Sequence, residues 1–367
     1  MDNEKMKQIA GKDSQQIQGQ TINIYNGISE SDVRKICSEM TFIAMEKYSV
    51  ESHFTVEKRI KDFAEILIPR IEKIENGFES FADPEFQLEL TKAQVSAACT
   101  DKEADYEMLS ELLAQRVEKK DNRRIKASIS KAVEIVDKIE DDGLCGLTVA
   151  YAILRLSPLT GYIKTGLKVL DDMYSKLITI SLPVGNSWTS YLDILDVIRV
   201  SNVGSFKKLN TIFEELLSGY TVVGIKKDSE DYKKALNILK EVGLNESFLV
   251  DHELLDGYVR VPLVKNGRFD GVKNSIIIPG FNVTIPIELV DEQKTALRNI
   301  CELYDNNPSL MGDVKRRFNE LFGNYHNLQI VQEWWDSLHH SFSITPIGEV
   351  IAHANAKRYI DIPELSF

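Results

Sequence analysis

The sequence predicts a mainly α protein, a helical array with a short N-terminal β-strand, a small β-patch near 250–288 and a C-terminal winged-helix-like module. Three observations predict it. Apolar residues recur at three- and four-residue spacing along most of the 367 residues, as they do on helices buried along one face. Residues 21–25 alternate in period two, the pattern of a strand. Late in the chain a stretch rich in Val and Ile, broken by Pro262, Pro279 and Pro286, interrupts the helical texture.

The chain opens with 1–28, a polar tail followed by the strand. Ile22 and Ile24 fall on one face, with Thr21, Asn23 and Tyr25 on the other. Asn26-Gly27 takes positive φ readily and supplies a sharp reversal. Ser29 with Asp32 then reads as a capping box, and Ile28 with Val33 as its hydrophobic staple. No second alternating strand follows. A lone strand leaves a row of N–H and C=O groups without partners. Its partner is expected far along the chain or on another copy. Ile17, Thr21, Ile22, Asn23, Ile24, Tyr25, Asn26 and Gly27 are therefore the expected oligomerisation element.

A first helical domain is expected over 29–140. Its first helix carries Val33, Ile36, Cys37, Met40, Ile43 and Ala44 as a buried stripe, and its second Ile60, Phe63, Ala64, Leu67, Ile71 and Ile74. Pro69 should kink or interrupt the second helix, and Asn76-Gly77 should stop it. Asp83-Pro84 opens a third as N-cap and first helical residue. Leu109, Leu112, Leu113 and Val117 mark a fourth; Ile125, Ile129, Val133 and Val136 mark a fifth. Asp141-Asp142-Gly143 is the expected boundary to a second helical domain, 141–248. That domain holds apolar helices over 144–180, a loop over 182–188 and further helices over 191–200, 206–217 and 232–242. The β-patch occupies 249–289 and is the intramolecular candidate to pair with residues 22–25. From 290 to 367, three short helices, an extended Phe342-Ser343-Ile344 and a helix after Thr345-Pro346 suggest the winged-helix-like module.

Composition narrows the function. The chain has 44 Lys+Arg against 56 Asp+Glu, a net charge of −12, which disfavours wholesale binding to phosphate backbones or anionic lipid. Cys37, Cys99, Cys145 and Cys301 form no C-x-x-C pair, so buried thiols in a reducing cytoplasm are expected. The N-terminus has no apolar signal-peptide core, and the longest apolar run, 144–156, is far short of a bilayer span. A cytoplasmic protein without a membrane segment is the expectation.

Candidate chemistry is sparse. Lys315-Arg316-Arg317 and Lys357-Arg358 could meet phosphates, yet the helix placed to read a groove, 327–338, carries Glu333 and Asp336. A solvated face explains these charges more simply. His252-Glu253 lacks the second histidine of a zincin helix, and adjacent His339-His340 would point apart if extended. No metal site or cofactor is expected. Asp193, Asp196 and Arg199 share a helical face near Trp188 and could line a pocket, although an i,i+3 ion pair accounts for Asp196 and Arg199. No P-loop, dinucleotide fingerprint or nucleophile elbow is present, so no catalytic residue is assigned.

Gln-Ile-Gln-Gly-Gln-Thr-Ile-Asn-Ile-Tyr-Asn-Gly, running into the helix at Ser29, resembles the start of an uncharacterised bacterial family with an N-terminal TINIYNG peptide and a helical body. Asp83-Pro84-Glu85-Phe86-Gln87, Gly185-Asn186-Ser187-Trp188 and Ile344-Thr345-Pro346-Ile347-Gly348 extend the resemblance along the chain. Similar polar peptides precede domains of bacterial conflict proteins, which implies phage defence or signalling. The family supplies no catalytic residue. The first expectation is thus a non-enzymatic homo-oligomer, a sensor or scaffold with a possible protein partner, its N-terminal strands pairing between subunits. A DNA-binding regulator using the C-terminal module and an enzyme of unknown class are the alternatives.

Overall fold

Ser29 and Asp32 open the first helix as the sequence predicts. The Ser29 backbone N–H donates to Asp32 at 3.0 Å, and the Asp32 N–H donates to Ser29 Oγ at 3.2 Å, two otherwise orphaned donors satisfied reciprocally. The computed structural model describes residues 28–45, 52–119, 122–201, 203–269, 273–278 and 283–365. For 44, 45, 273–278 and 283–287 it describes the backbone alone.

The chain is mainly α-helical. Helices α1 (Glu30–Met45), α2 (His53–Glu72), α3 (Pro84–Cys99), α4 (Glu103–Glu118), α5 (Arg123–Ile135) and α6 (Asp141–Arg155) pack into one layered array. The expected stripe of α1 is buried at Val33 and Cys37, while Ile43 is exposed. Pro69 does not interrupt α2, because it sits in the last turn, where only one intrahelical bond is lost. The helix ends at Glu72, ahead of Asn76-Gly77. There Asn76 takes φ +55°, and a Cβ on Gly77 would lie 2.2 Å from the Ile71 carbonyl oxygen. Asp83 caps α3 through the Glu85 N–H with Pro84 in the first turn.

Beyond α6 come α7 (Ile163–Leu177), α8 (Ser187–Ile194), β1 (Ile198–Val200), α9 (Leu209–Leu216), β2 (Ile225–Lys226), α10 (Glu230–Glu241), β3 (Val250–Asp251) and β4 (Tyr258–Arg260). Next are β5 (Lys273–Ile278), β6 (Val283–Glu288), α11 (Asp291–Glu302), α12 (Pro308–Phe322), α13 (His326–Asp336), β7 (Phe342–Ile344) and α14 (Pro346–Lys357). The helix expected over 191–200 is instead the end of α8 followed by β1. Asp196 takes φ +62° and turns the chain, and Val197, Ile198 and Val200 are β-branched. Asp141-Asp142-Gly143, the expected boundary, forms the first turn of α6. Cys99 ends α3 exposed, unlike the buried Cys37 and Cys145.

The strands form three antiparallel groups: β1 with β7, β2–β4–β3, and β5 with β6. Ile198 lies opposite Ile344 and Val200 opposite Phe342. The β5–β6 ribbon runs in register from Lys273 opposite Glu288 to Ile278 opposite Val283. Pro286 fits such a two-strand ribbon, where one edge of each strand needs no donor.

The winged-helix-like likeness expected for 290–367 does not describe this packing. β7 pairs with β1, and α14 inserts among α4, α5 and α6. The physical reason is written in α14 itself. Gly348 through Ala356 are all buried, and a helix apolar or small on every side is a core helix. Each fully buried Val or Ile there contributes about 1.5–3 kcal/mol.

One hydrophobic core runs from Val33 to Leu365. A second, smaller one gathers Ile225, Ala235, Leu239, Val259, Leu297 and Ile300 around α10, α11, β2 and β4. Arg260 joins them. It is fully buried, donating to Gly161 O at 2.7 Å and Gly219 O at 3.3 Å, and pairing with Glu253 at 3.3 Å. A Cβ at Gly161 would lie 1.8 Å from the Pro262 carbonyl oxygen, so this crossing admits only glycine. No helix among the described residues is long and apolar enough to cross a membrane.

Candidate functional site

The expected oligomerisation residues Ile17, Thr21, Ile22, Asn23, Ile24, Tyr25, Asn26 and Gly27 lie outside the described residues. Their junction with the body is described. Ile28 packs against the main core, and the Ser29–Asp32 box closes the end of α1.

The five cations considered for phosphate contact are placed on α12 and at the end of α14, and each has a partner. Lys315 pairs with Glu214 at 3.0 Å, and Arg316 with Asp313 and Glu320 on its own helix. Arg317 donates to the Leu254 carbonyl at 2.7 Å. Lys357 bridges Glu111 and Glu364, both at 3.0 Å, and Arg358 pairs with Glu107 at 2.9 Å. On α13, Trp334 and Trp335 are buried, donating to the carbonyls of Pro183 and Lys207. They are packing residues.

Around Trp188 the side chains are occupied by the fold. Trp188 is buried against Trp334 and Phe342, with ring centroids 5.9 and 5.8 Å away. Asp193 accepts from the Val200 N–H, and Asp196 pairs with Arg199 at 2.6 Å. Both histidines nearest to chemistry are structural and neutral. His252 Nε2 faces the Val222 carbonyl at 2.8 Å while its Nδ1 accepts from the Leu254 N–H, and burial lowers its pKa to about 4. His353 repeats the arrangement between the Pro363 carbonyl and Gln115, and burial lowers its pKa too. Among the described residues, no three His, Cys, Asp or Glu side chains are grouped to hold a metal ion.

A cleft of about 410 Å³ opens where the two cores meet, between α9, the turn that follows it, the end of α11 and α12. That volume is within the range of small-molecule sites. Glu214, Ser218, Thr221, Tyr304, Asp305 and Lys315 line it. Their geometry is largely committed to structure. Glu214 holds Lys315 and accepts from Asn319 at 3.0 Å. The Tyr304 hydroxyl accepts from the Val261 N–H at 2.9 Å, and burial raises its pKa well above the phenol range. The Asp305 N–H donates to Gly224 O at 2.8 Å, and its carboxylate accepts from Asn307 N. Cys301, at the rim, has its thiol pKa raised by burial, so it stays protonated and weakly nucleophilic. The cleft can offer hydrogen bonds and negative charge to a small polar molecule. The sequence shows none of this convergence, because its lining comes from residues some ninety positions apart.

A second set of residues had a visible signal that the sequence reading passed over. Lys119-Lys120-Asp121-Asn122-Arg123-Arg124-Ile125-Lys126 is a dense basic run. Of it, Lys119, Asn122, Arg123 and Arg124 line an open hollow of about 460 Å³ with Glu118.

These features define a mainly α-helical chain with short antiparallel strand pairs and a C-terminal helix buried in its N-terminal half. The model of an uncharacterised-like family matches residues 27–253, and the chain belongs to that family. The match begins at Gly27 and so leaves out residues 21–26, which carry the TINIYNG resemblance. No curated protein and no solved structure matches the chain.

Proposed function

We propose that the chain is a non-enzymatic, oligomeric interaction protein, a sensor or scaffold, whose copies associate through the strand at 21–25. The observation that carries this reading is the junction at Ser29. A reciprocally capped helix marks a hard start to the helical body at Ser29, and the period-two alternation ahead of it is the sequence pattern of a strand. An edge that pairs with its counterpart on another copy satisfies its main chain without help from the body. A role in bacterial defence belongs to the same proposal and rests on the likeness of the TINIYNG peptide alone. The DNA-binding alternative gains no support from α12 and α14. Their cations already meet carboxylates or carbonyls, whereas duplex binding needs charge free to displace counterions.

The test is the double variant Ile22→Asp with Ile24→Asp in the full chain. Sedimentation velocity should show an assembled wild type and a monomeric variant whose far-UV circular dichroism is unchanged. A monomeric wild type, or an assembly that survives the double variant, overturns the reading.

A further inference from the structure

The β2–β4 ladder does not reach Val223. Its register, with Ile225 opposite Val259, would set Val223 opposite Val261. The Val261 N–H donates instead to the Tyr304 hydroxyl at 2.9 Å, and the Val261 carbonyl accepts from Leu263 N at 2.8 Å. Val223 is 2% exposed, and its N–H meets no acceptor among the described residues. A buried N–H without a partner is rare, and this residue belongs to the wall of the cleft between α9, α11 and α12. Two more groups of that wall have capacity left. Ser218 Oγ accepts from Asn266 N at 3.2 Å, which leaves its own proton to donate. Asp305 is held close to Val223, its N–H on the Gly224 carbonyl at 2.8 Å. Its carboxylate accepts from Asn307 N at 2.9 Å and faces the Tyr258 hydroxyl at 3.5 Å, with no cation among the described residues at ion-pair distance. Glu214 and Glu215 differ, since Lys315 and Lys207 meet them at 3.0 and 2.6 Å.

We propose that this cleft binds a free α-amino acid, its ammonium group on Asp305 and its carboxylate on the Val223 N–H and the Ser218 hydroxyl. The lining sets the class of ligand. With both glutamates paired, Asp305 leaves the cleft a formal negative charge, so the ligand brings a positive group. The Val223 N–H and the Ser218 hydroxyl are donors, so the same molecule brings oxygen lone pairs. A bare anion would face Asp305, and a bare amine would leave the Val223 donor unmet. A zwitterion answers both, and its bonds are charge-assisted at each end. The cleft, about 410 Å³, is of small-molecule size, and Val222 and Met311 give its lining an apolar part for a side chain. This assignment does not rest on the assembly proposed above, and a monomeric chain leaves it standing.

The experiment is calorimetric titration of the full chain with each common L-amino acid, then with the N-acetyl derivative and the decarboxylated amine of the one that binds tightest. At least one amino acid should bind with a Kd of about 1 mM or tighter. Its N-acetyl form lacks the ammonium and its amine lacks the carboxylate, and each should bind about tenfold or more weakly. Asp305→Asn, which keeps an acceptor for Asn307 N, should weaken binding by about tenfold or more with unchanged circular dichroism. Met311→Trp, which fills the exposed rim and removes no hydrogen bond, should abolish binding. Lys131→Gln on α5, outside the cleft, should leave it unchanged. Silence with every amino acid, unchanged affinity in Asp305→Asn or Met311→Trp, or an N-acetyl form or amine that binds as tightly as the amino acid would overturn the assignment.

Discussion

Three helices of the first third and three further along the chain are begun in different ways. α1, α3 and α5 are capped by residues beside them: Ser29 with Asp32, Asp83 and Asn122. α7, α9 and α13 are capped from afar. Glu253 accepts from the Ile163 and Lys164 N–H groups at 2.5 and 3.0 Å across 90 and 89 residues. Asp336 accepts from Leu209 N across 127 residues, and Asp171 from Asn327 N across 156. α10, α12 and α14 keep local caps in Ser229, Asn307 and Thr345. The contrast teaches that a helix start can be supplied by tertiary structure. Such a helix start is completed only once the distant carboxylate has arrived, whereas α1, α3 and α5 carry that part of their stability in their own sequence.

The most severe way to break the distant kind is Glu253→Ala, which removes the cap of α7 and the carboxylate partner of Arg260 together. Leaving a buried guanidinium unpaired costs about 3–5 kcal/mol. Urea unfolding should show a loss of that order, and a loss below about 1 kcal/mol would mean the crossing does not depend on the pair. Arg260→Met, which removes the charge while keeping bulk, should be milder than Glu253→Ala.

Acid is the next lever, because it strikes the long-range region through His252. Both ring nitrogens of His252 and of His353 are matched to the neutral form, one facing a carbonyl and the other receiving an N–H. Protonation would set a new N–H against a donor. The sign follows from depressed folded pKa values. The stabilisation is present above the unfolded value near 6.5 and is lost as pH falls toward about 4 for His252. The cost is on the order of 3 kcal/mol for His252, read as a falling urea midpoint between pH 7 and 4. Replacing both histidines should flatten that slope, and an unchanged slope would discount them.

Smaller and more discriminating is a pair of caps. Asp83→Ala and Asp171→Ala should each cost about 1 kcal/mol. Hydrogen exchange should separate them. The local loss frays the start of α3, whereas the distant loss should expose amides in α13 and α7 together. Identical, purely local fraying in both would erase the distinction. The least effect belongs to Arg316→Gln. Its exposed pairs with Asp313 and Glu320 should leave the urea midpoint unmoved within error.

What was legible follows the same division. The Ser29–Asp32 box, Asp83-Pro84 and the apolar stripes of α2 and α5 could be read because the information lies within a few residues. Nothing local in sequence reveals the N–H or cation that Asp171, Glu214 and Asp336 each meet far along the chain. The pairing of β1 with β7 was hidden in the same way, and it redirected the C-terminal elements away from a module of their own. The basic run at 119–126 was visible. Only the structure shows that Lys126 in it meets Glu85, and that Lys315 and Arg316 meet Glu214 and Glu320.

The burial of α14 has a consequence for synthesis. Asn355 donates to Thr148 across 207 residues, and His353 meets Gln115 across 238. At common elongation speeds the ribosome needs on the order of 10–40 s to cover that distance. Throughout that interval the nascent helices α4, α5 and α6 keep an oily slot with nothing in it, the kind of surface that recruits chaperones or seizes a neighbouring nascent chain.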